Sequence, residues 1–293
     1  MLKRIRKATI IISTSIVTLS VVSCGSDNSG EKKAGNTDTA VSDNKRIDSL
    51  SATKKSKIDF KFATAVANMP SPFEVILDVT STQVPYKSDL LNPASNAEYY
   101  ITPYKKAVNL GAYGIDLAYI NFYGKYADML TDFNTIQGIS KDLNINALFD
   151  QFAERFKTNS NNKDSIIKIL DDLYDKTDAY LKKNANYLVA SHILAGAVIE
   201  TNYLSINLVK GTAQTKDNAA FFEKIFNENL FIYELINLFG EYTDKDSKEL
   251  LTEMKMYRDS YNAVIKSATD LTPENMEKAS KLITGLRNNM VKK

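Results

Sequence analysis

The sequence has one cysteine, one histidine and no tryptophan among its 293 residues. A single cysteine cannot form an intrachain disulfide, and one Cys with one His cannot supply the ligands of a structural zinc site or an iron–sulfur cluster. Hydrophobic residues make up 44% and charged residues 25% of the chain, which excludes a collagen-like, a wholly disordered or a polytopic membrane protein. We expect a globular protein with no metal and no cofactor.

Positive charge is concentrated at the N-terminus. Residues 1–23 contain four basic residues and no acid. Without these four, the 37 Lys and Arg fall to 33 against 35 Asp and Glu, a net charge of −2. Beyond residue 23 no run of Lys and Arg is longer than two, so nothing resembles the basic footprint of a nucleic-acid-binding protein. We expect no nucleic-acid partner.

Residues 1–23 have the features of a signal peptide. The basic start is followed by an apolar stretch from Ala8 to Val22, shorter than the roughly 20 residues that a transmembrane helix needs. The stretch ends in Val21-Val22-Ser23-Cys24, where aliphatic and small residues precede the chain's only cysteine. This segment resembles the lipobox of bacterial lipoprotein precursors. An uncleaved anchor with an incidental thiol is the alternative.

The lipobox resemblance implies a specific modification. Cys24 would carry diacylglycerol on its sulfur, the chain would be cut before it, and the new amine would be acylated. One acyl chain gives only reversible membrane binding, whereas two or three on one residue hold a domain at the surface. Gly25, rather than Asp, follows the cysteine, and in the usual sorting pattern this implies the outer membrane.

Residues 24–57 are predicted to form a lipidated, flexible tether. They are polar and of low complexity, with too little apolar surface to offset the entropy of ordering. A coil of this length spans roughly 30 Å, which would lift a folded domain clear of the lipid headgroups. Residues 58–293 have the composition of one domain or of two packed halves.

Helical signals dominate residues 58–293. Thr102-Pro103 and Thr272-Pro273 are typical helix starts, and Gly211 and Gly240 are expected to follow helix ends. Asn146 is expected to cap a short amphipathic helix. We therefore predict an all-α fold, an antiparallel bundle of about eight helices. The predicted helices cover about 103–125, 126–143 (with a break near Gly138), 147–157, 165–183, 187–210, 217–239, 247–268 and 273–291.

The segment Phe73–Thr80 has two interpretations. Ser71-Pro72 and Glu74 form a helix-start signature, but the segment is rich in β-branched residues. A helix is the first interpretation, and a strand is the alternative.

Small residues form a stripe on the helix that follows Pro103. Ala107, Gly111, Gly114 and Ala118 fall on one side at 100° per residue, which lets another helix approach closely. Because glycine weakens a helix by about 0.8–1 kcal/mol relative to alanine, two glycines within four residues require a packing reason.

Two predicted helices carry similar polar stripes. Ile115-Asp116…Tyr119-Ile120 matches Ile199-Glu200…Tyr203-Leu204 in order and spacing. A duplication would place two carboxylates and two tyrosines on facing helices, while the simpler interpretation is two core helices with one hydrogen-bonded acid each. The residues proposed as candidates for ligand binding are Asp116, Tyr113, Tyr119, Glu200, Tyr203 and His192.

Each candidate chemistry has a structural alternative that the sequence favours. His192 is the only histidine available to a Ser-His-Asp triad, but it lies mid-helix among apolar residues and is typical of a core histidine. Asp116 and Glu200 could form the carboxylate pair of a glycosidase, although the chain lacks the tryptophans common in sugar sites. The acids Asp171, Asp172, Asp175 and Asp178 lack the glycine and terminal glutamate of an EF-hand loop, which favours a solvated helix face.

A second resemblance is carried by three segments: Asn68-Met69-Pro70-Ser71-Pro72-Phe73-Glu74, Leu91-Asn92-Pro93-Ala94-Ser95-Asn96, and the stretch from Tyr104 to Tyr119. They are similar to a family of uncharacterised helical lipoproteins from Gram-negative bacteria. The similarity covers about residues 68–124 and implies no known activity. It transfers no functional residue, so Cys24 of the lipobox is the one modification site that a resemblance implies.

The sequence leaves two main functional hypotheses. The first is a non-enzymatic binding or scaffolding module, held at the outer membrane by lipid on Cys24, with an envelope protein or a small ligand as partner. The alternative is an envelope hydrolase or small-ligand-binding protein that uses a buried pocket around Asp116 and Glu200. A stacked helical repeat is a weaker third, because no period of about 34–47 residues is evident.

Overall fold

The computed structural model describes residues 53–67, 75–76, 78, 84–159, 162–183 and 186–292. Within these ranges the chain is helical with no β-strand, which confirms the predicted all-α class. The signal peptide, the lipobox and nearly all of the tether lie outside the described residues. Of the segment Phe73–Thr80, residues 75, 76 and 78 are helical, and the others lie outside the described residues.

The helices are numbered here in chain order. Helix α1 covers residues 53–67. It is followed by α2 (Pro103–Phe122), α3 (Tyr126–Asp142), α4 (Asn146–Thr158), α5 (Lys163–Lys183), α6 (Tyr187–Val209), α7 (Ala219–Phe239), α8 (Lys245–Asn262) and α9 (Pro273–Val291). Short 3₁₀ turns cover Ser88–Leu90, Ala94–Tyr99 and Ala268–Asp270. None of the helices in the described residues combines the length and the apolar character that a membrane crossing requires.

Two helices start at the predicted Thr-Pro pairs. The side chain of Thr102 accepts a hydrogen bond from the Lys105 amide at 3.1 Å, and that of Thr272 accepts one from the Asn275 amide at 3.2 Å. A proline follows each cap, where its missing N–H costs nothing.

Three local predictions are corrected. Residues 53–57, which are predicted to be part of the tether, belong to α1. Phe62 and Ala65 of this helix are buried and so hold it against the rest of the fold. Asn146 is the first residue of α4 rather than its cap, and its side chain donates to Asp150 instead. Helix α3 continues through Gly138 without a break.

Helices α2 and α6 form the centre of the fold. From Ala107 to Phe122 every residue except Gly114 is buried, and from Ala190 to Val209 every residue except Ile193 is buried. Helices α3, α5 and α9 pack on α2, and α5, α7 and α9 pack on α6. Helix α4 packs between α3 and α5, and α8 packs on α7 and α9.

The central helices run in the same direction. Near their N-termini the ring of Tyr104 packs edge-on against the ring of His192, with centroids 5.0 Å apart. Near their C-termini Lys87 connects both helices: its amide donates to Tyr119 Oη at 2.9 Å and its Nζ donates to the Asn207 carbonyl at 3.3 Å.

The two central helices touch backbone to backbone through one glycine on each. A Cβ atom on Gly111 would lie 2.0 Å from the carbonyl oxygen of Ile193, and one on Gly196 would lie 1.8 Å from that of Val108. Each glycine therefore rests on the carbonyl three residues before the other glycine. Gly114 does not share this role, because a Cβ there would meet nothing within 4 Å.

We predict that Gly111→Ala and Gly196→Ala each lower the free energy of unfolding by about 1–3 kcal/mol or more, because two buried backbones would have to move apart. Gly114→Ala is the matched control on the same helix. It should be neutral or stabilising by up to about 1 kcal/mol, because alanine favours the helix and meets open space. Urea unfolding of the variants measures these differences, and equal effects at Gly111 and Gly114 would contradict the close contact.

Candidate functional site

Residues 84–101, here called the 84–101 segment, are joined by hydrogen bonds to α2, α6 and α9. Asn92 is the buried centre of this segment. Its backbone N–H donates to Asp116 Oδ2 at 2.9 Å, and its Nδ2 donates to Tyr100 Oη at 3.0 Å and to Asn109 Oδ1 at 3.1 Å. Tyr100 Oη in turn donates to the carbonyl of Val291, at the end of α9, at 2.9 Å. These bonds satisfy backbone and amide groups that the burial of a loop would otherwise leave unpaired.

The tyrosine candidates of α2 bind the backbone of the same segment. Tyr113 Oη donates to the carbonyl of Pro93 at 2.8 Å, and Tyr119 Oη accepts from the Lys87 amide at 2.9 Å. Burial raises the pKa of both phenols, so both stay protonated over the range of ordinary pH. Tyr86 stacks on Tyr119 with centroids 5.4 Å apart, which covers this end of α2 with aromatic surface.

Glu200 forms a buried ion pair with Arg287 of α9. Arg287 Nε donates to Glu200 Oε2 at 2.8 Å and Nη2 donates to Oε1 at 2.7 Å, which is the bidentate geometry that guanidinium and carboxylate groups favour. Nη2 also donates to the Leu90 carbonyl at 3.2 Å, and the guanidinium carbon lies 4.3 Å from the centre of the Tyr203 ring. Glu200 and Tyr203 are therefore engaged within the fold.

Asp116 lies in the same network and is fully buried. Burial, and then the negative charge of Glu200, raise the pKa of Asp116 well above its usual range, while Arg287 opposes this shift. The neutral acid is favoured, as expected for a carboxyl group removed from water beside a second acid. The structure thus brings Asp116 and Glu200 into one network on facing helices, but neither lines the cavities described below.

Asp132 of α3 is a member of this region that the sequence analysis missed. Its side chain is buried, and burial, followed by the charges of Asp128 and Glu200, raises its pKa to about 7. A signal for it exists in the sequence, because Asp132 falls on the apolar stripe of α3 beside Phe133 and Ile136.

Arg287 was missed as well, although it completes the network. It lies on the apolar stripe of α9, where Met276, Ile283 and Met290 are buried. A charged residue on such a stripe predicts a buried partner. The stripe does not say which residue the partner is, because Glu200 lies on a different helix far away in the chain.

His192 is separate from the network and has the role of a core histidine. Its Nε2 lies 3.0 Å from Ser247 Oγ, and its ring contacts Tyr104 and Phe239. Burial lowers its pKa to about 4, which keeps the ring neutral. Ser247 is fully buried, and its amide donates to Asp244 at the start of α8. Because His192 and Ser247 are both buried, a substrate cannot reach this pair in the folded protein.

The four acids Asp171, Asp172, Asp175 and Asp178, for which a solvated helix face is predicted rather than an EF-hand loop, lie partly outside the described side chains. Of the four acids, Asp172 is described, and it pairs with Arg155 at 2.8 Å on an exposed surface. Among the described residues, no group of three or more His, Cys, Asp or Glu side chains is placed to hold a metal ion.

One cavity is apolar and is lined by residues of α2, α3, α4, α5 and α6. Its volume is about 100 Å³, and its lining is aliphatic and aromatic except for Thr177. Gly111 and Gly114 form part of its wall, so the absence of side chains on this face of α2 contributes to the space.

A second cavity lies between α7 and α8 and is here called the α7–α8 pocket. Its volume is about 340 Å³, and aromatic, amide and basic side chains share the lining. The lining residues are Phe226, Asn229, Leu230, Tyr233, Tyr261, Asn262, Ile265 and Lys266. This pocket is not among the predicted sites. Its one local signal is Asn229, which interrupts the apolar stripe of α7 between Ile225 and Ile232.

Comparisons of the chain with protein-family models, with curated proteins and with solved structures found no match. Both lipoprotein resemblances therefore stay predictions from the sequence.

We predict that Arg287→Met lowers the free energy of unfolding by about 3–5 kcal/mol, because it leaves Glu200 charged and unpaired in the core. The double variant Glu200→Leu/Arg287→Met should recover much of this loss, because it removes both charges. Lys278→Met, in an exposed pair with Glu274, is the matched control and should cost at most about 1 kcal/mol. Denaturant unfolding of all three distinguishes these outcomes, and similar losses for Arg287→Met and Lys278→Met would refute the buried pair.

We also predict that Glu228 of α7 makes stability depend on pH. Burial raises its pKa to about 8, above the ordinary value of 4.5. Between these values the unfolded chain releases this proton and the folded chain keeps it, so stability falls as pH rises from 4.5 to 8. Glu228→Gln should raise the melting temperature at pH 8 relative to the original chain and change it little at pH 4.5. Glu223→Gln, at an exposed position of the same helix, should show no such difference in a melting series across this range.

Proposed function

We propose that the protein is a bacterial lipoprotein, anchored at the outer membrane by lipid on Cys24, whose helical region is a non-catalytic binding module. The observation that carries this proposal is the position of the chain's only cysteine. It stands directly after Val21-Val22-Ser23, at the end of an apolar stretch that follows a basic start. This is the position that a lipobox requires for its cysteine, and no other cysteine is present in the chain.

The membrane is the first partner of the proposed module. Two or three acyl chains on Cys24 would contribute about 0.8 kcal/mol for each buried methylene, which is enough for stable attachment. The polar residues after Cys24 would act as a spacer, so that an envelope protein or a small ligand could reach the helical region.

The contacts of Glu200 and Asp116 favour a binding function over hydrolysis. Glu200 is held by Arg287, and Asp116 accepts a hydrogen bond from the Asn92 amide. Both are fully buried, and a general acid or base needs to be within hydrogen-bond reach of a substrate. These carboxylates are better suited to positioning the 84–101 segment than to catalysis.

We predict that bacteria grown with a labelled fatty acid incorporate it into the full chain and not into Cys24→Ser, because the thiol is the acceptor. The matched control is Cys24→Ser/Ser26→Cys, which restores one thiol two residues away. It should remain unlabelled, because the lipobox requires the cysteine directly after Ser23.

Recovery of the chain with residues 1–23 uncleaved and without fatty acid would contradict the anchor. Turnover of glycans, peptides or esters that is lost in Glu200→Gln would replace the binding module by the hydrolase alternative.

A further inference from the structure

The α7–α8 pocket has the size and composition of a small-molecule site. A volume of about 340 Å³ falls within the range of ligand pockets. Phe226, Leu230 and Ile265 provide apolar surface, and the rings of Tyr233 and Tyr261 add aromatic surface. A ligand with an apolar or aromatic body would bury this surface.

One residue of the lining has a buried hydroxyl that lacks a partner. Tyr261 is 2% exposed, and its Oη makes no hydrogen bond with any described residue. Leaving such a group unpaired costs about 1–3 kcal/mol. A ligand atom that accepts a hydrogen bond from Tyr261 would remove this cost, so the group favours a ligand that carries an acceptor.

The other polar groups around Tyr261 are held in place by their neighbours. Tyr233 Oη donates to Asn262 Oδ1 at 2.6 Å, which leaves the Asn262 amide nitrogen as a donor. Asn229 Nδ2 donates to Tyr257 Oη, which is not part of the lining. The orientation of both amides is therefore fixed before a ligand arrives, which lowers the entropy cost of binding.

The charge of the lining has one sign. Lys266 is the charged residue of the lining and is exposed at the cavity's edge, while no carboxylate lines the pocket. Arg258 lies over the Tyr233 ring at 6.0 Å, but its charge is paired with Asp259 at 2.7 Å. An ammonium group beside hydroxyl and amide donors favours an anionic ligand.

We propose that the α7–α8 pocket binds a small organic carboxylate with an aromatic or similarly apolar body, and that the ligand's acceptor atoms bind Tyr261 Oη and Lys266. This site gives the proposed binding module a ligand class and rests on that function. The geometry is nevertheless independent of Cys24, so ligand binding and lipid attachment are measured separately.

The test is an NMR titration of the purified full-length chain with benzoate, and with benzylamine as the probe of opposite charge. We expect saturable binding of benzoate with a Kd on the order of 1 mM or tighter, weaker binding of benzylamine, and shifted resonances from α7 and α8. Tyr261→Phe should weaken benzoate binding about 5- to 10-fold, since it removes one hydrogen bond. Lys266→Gln should weaken it as well.

Two variants outside the pocket serve as matched controls. Tyr242→Phe removes a phenol that is bonded to Ser191 and the Tyr187 carbonyl, and Lys248→Gln removes an exposed cation of α8. Both should bind benzoate as the original chain does. Without ligand, Tyr261→Phe should melt at the same or a higher temperature than the original chain, because it removes an unpaired hydroxyl, whereas Tyr242→Phe should melt lower.

The proposal is overturned if benzoate does not saturate by about 10 mM, about ten times the expected Kd. It is also overturned if Tyr261→Phe and Lys266→Gln bind benzoate as the controls do, or if Tyr261→Phe is destabilised as much as Tyr242→Phe. If the chain incorporates fatty acid but does not bind benzoate, the proposed lipid anchor is supported and the proposed ligand class is contradicted. If the chain binds benzoate but incorporates no fatty acid, the proposed ligand class is supported and the proposed lipid anchor is contradicted.

Discussion

The close approach of the α2 and α6 backbones at Gly111 and Gly196 is the constraint on which the rest of the fold depends. It brings the backbones of α2 and α6 together and buries both helices on nearly all sides. A helix buried in this way cannot send its polar side chains to water. The charge of Glu200 must therefore be paired inside the protein, since an isolated buried charge would destabilise the fold by several kcal/mol. The neutral Asp116 must be hydrogen-bonded there, because burying an unpaired polar group also costs free energy.

The partners come from two elements that pack on the central pair. Helix α9 supplies Arg287 to Glu200, and the 84–101 segment supplies the Asn92 amide to Asp116. Arg287 also donates to the Leu90 carbonyl and so ties α9 to the segment. The acids thus connect parts of the chain that are far apart, and the segment stays in place although it has little regular structure. Asn109 of α2 belongs to this network as well, since its Oδ1 accepts a hydrogen bond from Asn92 Nδ2.

Local chemistry could be predicted from the sequence, and long-range pairing could not. The Thr-Pro pairs gave two helix starts, the glycines of α2 indicated a close neighbour, and the setting of Asp116 required a hydrogen bond. The sequence could not show that Gly111 rather than Gly114 makes the contact, because both lie on the same stripe. It could not pair Arg287 with Glu200 or show that Tyr261 lacks a partner, because these facts depend on how distant helices pack. Likewise, α1 extends into a polar stretch because tertiary contacts at Phe62 and Ala65 outweigh local composition.

The central claim is that the buried acids hold the 84–101 segment onto α2 and α6. Amide hydrogen exchange at Asn92 tests it most directly, because this N–H donates to Asp116 at 2.9 Å within a segment that otherwise has the character of a surface loop. If the account is correct, the Asn92 amide exchanges as slowly as the core amides of α2, through global unfolding. Exchange at the rate of an exposed loop would show that the segment opens independently, and the acids would then need another explanation.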